Sequence, residues 1–450
     1  MKKSLLLAMT LGVASASSLL ADVNVYLTGS TAFRKQVYNA CKNLFIGANP
    51  AIIYGDASHG GDGTTGNGNL SWAMIGTATN TLSFSNSTLV VHALFTGSIQ
   101  GIQSVENSQP LTFPNTGVNG SLATTYITNT PSFAFSDSAS AATPAYDVQN
   151  FGGTFAEEQV AVQPFVFCKS LAPSGAVTTI TNVTWEQMRT IIPNGRLPYS
   201  AWTGKLADTN TYVYLLNRTA DSGSRVTAIE EMLYDLNTVV SIYNYDHAAL
   251  KFYPATNSLF ATAGTTGFGV VGTSAGNGNA NLAWGSGYIA GSDIRTALKI
   301  ADAQNQSIAY LSFADAQSAA GVNWGSVIAF NGTWPTAAGA GITGTTTNDL
   351  SPVCLGNYPF WTYEVVIYPT ADPISGGSIT QAQLGNQTTP KSLLGVLDNV
   401  STSNVTLLGS LDNEIQASKT VSPGATAIRL YDMVAARGSV GGPIQVTPNP

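Results

Sequence analysis

Four short runs in this chain join small hydroxyl residues to glycine or a charge: Thr28-Gly29-Ser30-Thr31, Thr96-Gly97-Ser98, Ser136-Asp137-Ser138 and Asp221-Ser222-Gly223-Ser224. Each follows an apolar run that reads as a strand, and helical spacing resumes after it. A helix N-terminus presents unpaired N–H groups and about half a positive charge, which suits an anion. Glycine lets the backbone approach closely, and serine or threonine adds donors without bulk. Arg218, just before the fourth run, adds a planar fork that matches a tetrahedral oxyanion. Asp137 is the odd member: a carboxylate beside an anion can accept a proton that a protonated oxyanion carries and a fully ionised sulfate lacks. The same residues also serve as ordinary caps and turns, so composition alone leaves both readings open.

Other chemistry finds little support. His59, His92 and His247 are scattered, and Cys41, Cys168 and Cys354 lie far apart, so neither set has the spacing of a metal motif. Three cysteines allow at most one disulfide, and the sequence does not choose the pair. No Ser-His-Asp spacing accompanies the Gly-Thr-Ser-Ala-Gly run at 272–276, so catalysis is not expected, nor is a metal or a cofactor. The aromatic residues Trp72, Trp185, Trp202, Trp284, Trp324, Trp334 and Trp361 lie in or beside apolar segments and loops, where packing is the default role.

The elements that would position the turns are legible from periodicity. Val23, Val25 and Leu27 alternate as a strand, and Ala32 to Phe45 has helical spacing. Strands are expected at Leu89 to Phe95 and in "SFAF", with a short helix over Ile99 to Val105 between them and a polar linker over 106–130. "QVAVQPFVFCK" at 159–169 is apolar enough for a strand buried on both faces, and "TWEQMRTII" reads as a helix capped by Thr184 or Asn182. "GSDIRTALKIADA", "SIAYLSFADAQSAA" and "FWTYEVVIYP" read as a helix, a strand entering a helix, and a last strong strand, with a Gly/Thr-rich loop at 331–350. Strands alternating with helices predict an α/β architecture.

The chain has 450 residues, 10% of them charged and 44% hydrophobic, with 45 glycines and a formal net charge of −7. That is too apolar for disorder and suits a loop-rich secreted protein. The acidic balance offers no field for nucleic acid or an anionic membrane. Residues 1–21 read as a signal peptide: Lys2 and Lys3, an apolar core from Leu5 to Val13, and small residues at Ala14-Ser15-Ala16 or Leu20-Ala21. The apolar core is too short to span a bilayer, and no cysteine sits at the cleavage region. The expectation is a periplasmic or extracellular protein that is not inserted in a membrane.

In order and wording, the motifs resemble the phosphate-binding proteins of ABC-type phosphate importers, which are class II periplasmic binding proteins. "LTGSTAFRKQVY" is similar to the family's opening strand and Gly-x-Gly-Ala-Thr/Ser-Phe-Pro turn, with Arg34 where proline is common. "FTGSIQGIQSV" resembles its second, glycine-rich loop, and "FAFSDSAS" its Gly-Ala-Ser-Asp segment. "FVFCKS" with "VTWEQMRTII" and "GRLPYSAWTG", then "NRTADSGSR" and "SIAYLSFADAQ", follow in the family's order over roughly residues 22–370. The acidic residue that follows the family's arginine stands one place later here, as Asp221, with Ala220 in its own slot.

The resemblance implies a two-lobed fold of the periplasmic-binding-protein type II, with a hinge and an interlobe ligand cleft. Lobe 1 would begin at 22–160, lobe 2 span 161–325, and 326–450 return to lobe 1 with a C-terminal extension. Carried over, the ligand contacts would be Ser30, Thr31, Gly97, Ser98, Ser136, Asp137, Arg218, Ser222, Gly223 and Ser224. The implied function is capture of inorganic phosphate or a related oxyanion by a monomer that serves an ABC permease. The alternative is a cell-surface or matrix protein that keeps the fold without transport.

Overall fold

In a computed structural model of the chain, the structure describes residues 23–61, 63, 65–79, 88–140, 155–219, 222–235, 238, 240–254, 287–288, 290–316, 327–337, 339, 348–369, 420–421, 428 and 433–446. The signal-peptide expectation at 1–21, the Gly-Thr-Ser-Ala-Gly run, Asp221, Trp284, Trp324 and most of 370–450 fall outside these residues.

The first apolar run forms β1 (Val23–Gly29), and α1 (Arg34–Lys42) follows after a turn. Next come β2 (Ala51–Tyr54), β3 (Ser71–Thr77), β4 (Thr88–Leu94) and α2 (Ser98–Glu106). Within the expected linker at 106–130, the chain instead forms an antiparallel hairpin of β5 (Leu111–Gly117) and β6 (Ala123–Asn129). Only Leu111, Phe113 and partly buried Ile127 pack inward from it, against Tyr26 and Leu94, so the apolar signal was too sparse to mark strands. Pro114 removes a ladder donor from β5, yet its carbonyl lies 2.8 Å from Nδ1 of buried His92.

β7 (Phe133–Ser136) and β8 (Phe155–Lys169) precede β9 (Asn182–Val183) and α3 (Trp185–Asn194). Thr184 caps α3 in a reciprocal box with Gln187. The chain continues through β10 (Arg196–Pro198), α4 (Ser200–Thr203), β11 (Tyr212–Leu216), α5 (Gly223–Glu231), β12 (Tyr243–Asp246) and β13 (Lys251–Pro254). After these stand α6 (Gly291–Leu298), β14 (Ser307–Ser312), α7 (Phe313–Ala316), β15 (Val327–Phe330), β16 (Asn348–Asp349), α8 (Ser351–Cys354) and β17 (Trp361–Pro369).

One sheet runs through the molecule in the order β13-β12-β11-β14-β8-β17-β7-β1-β4-β3-β2. β7, β1 and β4 are parallel, as are β12, β11 and β14, while β8 and β17 are antiparallel to each other at the centre. Two apolar cores lie on this sheet. One gathers Val25, Leu27, Phe33, Trp72, Phe135 and Val366; the other gathers Phe167, Leu215, Ile229, Tyr310, Phe330 and Phe360. The protein is therefore mixed α/β and two-lobed, the fold that the motif order implied. Along β8, Val160 and Ala161 belong to the first core and Val162 to the second; β17 passes back from Trp361 to Val366. Residues 327–330 and 350–360 pack with the second core. Cys41 is buried in the first core, Cys168 and Cys354 in the second, and no disulfide joins any of them. Trp72 and Trp361 are fully buried, and Trp185, Trp202 and Trp334 pack partly buried against the second core.

The loops that leave β1 and β7 are pressed together. Gly29 has φ of +113°, and a Cβ there would overlap the Phe135 carbonyl oxygen. Ser30 N–H donates to that same carbonyl at 2.7 Å. Gly29→Ala therefore combines backbone strain with a main-chain overlap, and we expect a loss of about 2–3 kcal/mol or more in urea unfolding. A loss under about 0.5 kcal/mol would show that the two loops do not depend on this close approach.

Candidate functional site

Four strand ends supply the site. β1 and β7 end side by side, β4 leads through Gly97 into α2, and β11 leads through Arg218 and Ser222 into α5. Backbone bonds tie the first-lobe loops: Gly97 N–H donates to Gly29 O at 2.9 Å, and Ser30 N–H to Phe135 O. All ten residues expected at the site are buried. Arg218 is 3% exposed and so is not a surface charge.

Asp137 is the centre of the arrangement. Its Oδ1 accepts from the Ser98 hydroxyl at the start of α2, and its Oδ2 accepts from the Ser224 hydroxyl in the first turn of α5 at 3.0 Å. Thr227 Oγ1 donates to the Asp137 carbonyl at 2.9 Å. A Cβ on Gly223 would overlap the Asp137 carboxylate, so the glycine admits the second lobe to this position. Arg218 donates through Nε to Tyr288 O at 3.1 Å, through Nη1 to Ser224 Oγ at 3.4 Å and through Nη2 to Thr31 Oγ1 at 3.1 Å. The carboxylate is thus held by hydroxyls from both lobes, with a guanidinium alongside. Burial pushes the Asp137 carboxyl above its ordinary range, while Ser98, Arg218 and Ser224 pull it back.

Other expected residues do different work. Ser30 Oγ accepts from the N–H groups of Ala32 and Phe33, at 3.2 and 3.3 Å, and so caps the turn into α1. Ser136 Oγ turns back on its own loop and donates to Ser138 O at 2.6 Å. Ser222 precedes α5, and its buried hydroxyl has no hydrogen-bond partner among the described residues. No group of three or more His, Cys, Asp or Glu suited to a metal occurs among the described residues.

Residues outside the expected set complete the electrostatics. Arg34, in the slot where proline was the family pattern, is buried in the first lobe; it donates to Gly68 O at 2.9 Å and to Thr31 O. Its Nη2 lies 3.6 Å from Oδ1 of Asp315, which is buried on α7 of the second lobe. Asp315 Oδ2 accepts from Ser312 Oγ at 3.1 Å. Burial pushes the Asp315 carboxyl up, but Arg34, Arg295, Lys35 and Arg218 outweigh it and hold it below the ordinary range. Burial brings Lys35 down to about 8. Glu364 on β17 is fully buried beside Ser30 and Asp137, and burial raises it well above the carboxylate range, with Asp137 pushing the same way. Sequence signals existed for both acids: Asp315 follows a strand in the same strand–turn–helix grammar, and Glu364 is the lone charge within "FWTYEVVIYP".

No family model and no curated protein matches the chain. Solved structures do. The chain is similar to a candidate phosphate ABC transporter substrate-binding protein from Clostridium perfringens, solved with bound phosphate: identity 10%, TM-score 0.41, over 79% of this chain and 89% of that one. It is similar to an ABC-type phosphate transport receptor from Vibrio cholerae at 11% identity and TM-score 0.35, over 78% and 89% of the two chains. A phosphate-binding protein from Stenotrophomonas maltophilia matches at 12% identity and TM-score 0.34, over 77% and 79%. With these scores under 0.5, the functional reading rests on the contacts within this chain.

Two outcomes follow from the buried charges. Arg34→Met leaves Asp315 with fewer compensating cations, and we expect about 3–5 kcal/mol of destabilisation in urea, largely recovered in the Arg34→Met/Asp315→Leu double variant. An Arg34→Met protein as stable as the parent would show that the interlobe pair contributes nothing. Glu364, Glu106 and Glu230 all have raised folded pKa values, the last two at about 7 through burial. Such groups stay protonated in the folded chain where the unfolded chain has ionised, so their stabilisation is full below about pH 4 and is lost as pH rises through the folded values. The melting temperature should therefore fall from about pH 5 to about pH 8, and Glu106→Gln should flatten part of that slope. A melting temperature that rises over this range would contradict the assignment.

Proposed function

We propose that the chain is a solute-binding protein that captures phosphate or a similar tetrahedral oxyanion between its two lobes, for ABC-type import. The observation that carries this reading is the Asp137 carboxylate: a buried oxyanion held by Ser98 from one lobe and Ser224 from the other, with Arg218 bonded to Ser224 and Thr31. Groups that hold one planar oxyanion in this way can also hold a tetrahedral one of similar charge, because both need converging donors and an adjacent cation. Thr31, Gly97, Ser98, Arg218, Gly223 and Ser224 are the direct contacts in this proposal. Ser30, Ser136 and Ser222 shape the loops that carry them, and Asp137 accepts a hydrogen bond from the ligand's O–H. The protein would act as a monomer outside the cytoplasm and hand its anion to a permease.

A second reading has its own support. Ser98, Ser224 and Arg218 have partners within the protein, and contacts of this kind join the two lobes directly. That suits a cell-surface or matrix protein that keeps the fold without transport. Titration calorimetry separates the two. Under the import reading, phosphate binds and Arg218→Ala weakens binding by about 2–5 kcal/mol, as expected for loss of a buried charge-assisted partner. The absence of heat or thermal shift with phosphate, arsenate, sulfate and molybdate would end the import reading and leave the second.

A further inference from the structure

No hydrogen bond of ordinary length repays the burial of Glu364, although the Ser30 hydroxyl favours its charged form. Glu364 is 0% exposed, and neither carboxyl oxygen has a hydrogen-bond partner among the described residues. A buried polar group without a partner costs several kcal/mol, and an apolar side chain on this strand would avoid that cost. β17 alternates cleanly here. Val365 and Ile367 pack under α2 with Ile102 and Val105, while Val366 and Tyr368 face the first core with Phe33 and Phe135. Glu364 shares the face of Val366 and Tyr368, which is the face toward the turn into α1.

The register places it beside the oxyanion site. β17 pairs antiparallel with β7 as Ile367 to Ala134, Val366 to Phe135 and Val365 to Ser136. One further step along both strands brings Glu364 opposite Asp137. On its other side β17 pairs with β8, where Glu364 meets Ala161 and the register shifts just after it because Val160 is an extra residue. Ser30 Oγ already accepts from two backbone N–H groups, so its own proton is free to point at Glu364.

We propose that Glu364 is a positioning residue of the oxyanion site: lying one ladder step beyond the last β7–β17 pair, it stays protonated, leaves the negative charge of the two carboxyls on Asp137, and so keeps Asp137 an acceptor that selects an oxyanion bearing a proton. This rests on the oxyanion reading above. Two carboxyls in one buried site cannot both ionise, and their surroundings decide which one keeps the proton. Asp137 has the Ser98 and Ser224 hydroxyls and the Arg218 guanidinium to favour its charge; from α1, β8 and β7, Glu364 is faced by Ser30, Ala161 and Asp137, with no cation among them. The proton therefore resides on Glu364. The ligand class is a tetrahedral oxyanion with an ionisable proton, such as phosphate or arsenate, over sulfate.

The test uses the full secreted chain and inorganic phosphate as the probe. Glu364→Gln keeps the volume and a donor but has no titratable proton; Glu364→Met keeps the volume alone. Calorimetry at about pH 6 and about pH 8 should show the pH dependence of phosphate Kd altered in Glu364→Gln. Glu364→Met should bind phosphate about tenfold more weakly and narrow the preference for phosphate over sulfate. Melting curves establish that both variants fold. If both retain the parent Kd, pH profile and selectivity, Glu364 is a core residue only and the proposal is overturned. A ligand-free measurement keeps the two readings apart. The infrared carbonyl stretch of a protonated carboxyl should be present near neutral pH and lose intensity in Glu364→Gln; an unchanged spectrum overturns the assignment of the proton. A parent protein that binds no oxyanion fails the function, and with it the role of Glu364.

Discussion

The organising contact is a single carboxylate held between two lobes. Asp137 leaves the end of β7 in the first lobe and is gripped by Ser98 beside it and by Ser224 across the interface. Removed from water, it needs every donor it has, since a buried charge without partners is far costlier than an exposed one. Arg218 has the complementary problem and meets it through Tyr288 O, Ser224 and Thr31. Each lobe therefore completes a polar network that the other begins.

Backbone geometry makes this approach possible. Gly223 allows α5 to reach the carboxylate, and Gly29 allows β1 to turn against Phe135. On the helix side, Gly101 would set a Cβ 2.5 Å from Gly29 Cα, so α2 also sits as close to β1 as a main chain can. Small residues at these points trade local stability for proximity, because each lacks a side chain to pack and loses more freedom on folding. The loops are consequently in main-chain contact where the donors converge.

A chain with 10% charged residues has concentrated several of them in one buried region. Arg34, Arg218, Asp137, Asp315 and Glu364 are all nearly or fully buried there. The Arg34–Asp315 pair crosses the lobes beside the Asp137 network and replaces a position where a proline would have carried no charge at all. The contact between the two lobes is thus made by charge compensation as well as by hydrogen bonding. The network resists substitution of any one member more than of matched pairs.

The sequence by itself determined the strand–turn–helix order, the hydroxyl and glycine character of the turns, and the α/β class. These follow from local periodicity and capping, which need no distant partner: β1, α2, α3 with its Thr184 cap, β11 and β17 are all legible in this way. The hairpin at β5 and β6 was not, because its few inward residues gain their burial from Tyr26 and Leu94 far away in sequence. Tertiary structure alone decided which hydroxyls serve the interface. Ser98 and Ser224 reach Asp137, whereas Ser30 and Ser136, alike in type and setting, turn to their own backbone. It also decided that Arg34 meets Asp315 and that Glu364 lies one step beyond the last β7–β17 pair. Pairings between residues hundreds of positions apart depend on strand register and lobe contact, and no local pattern encodes those.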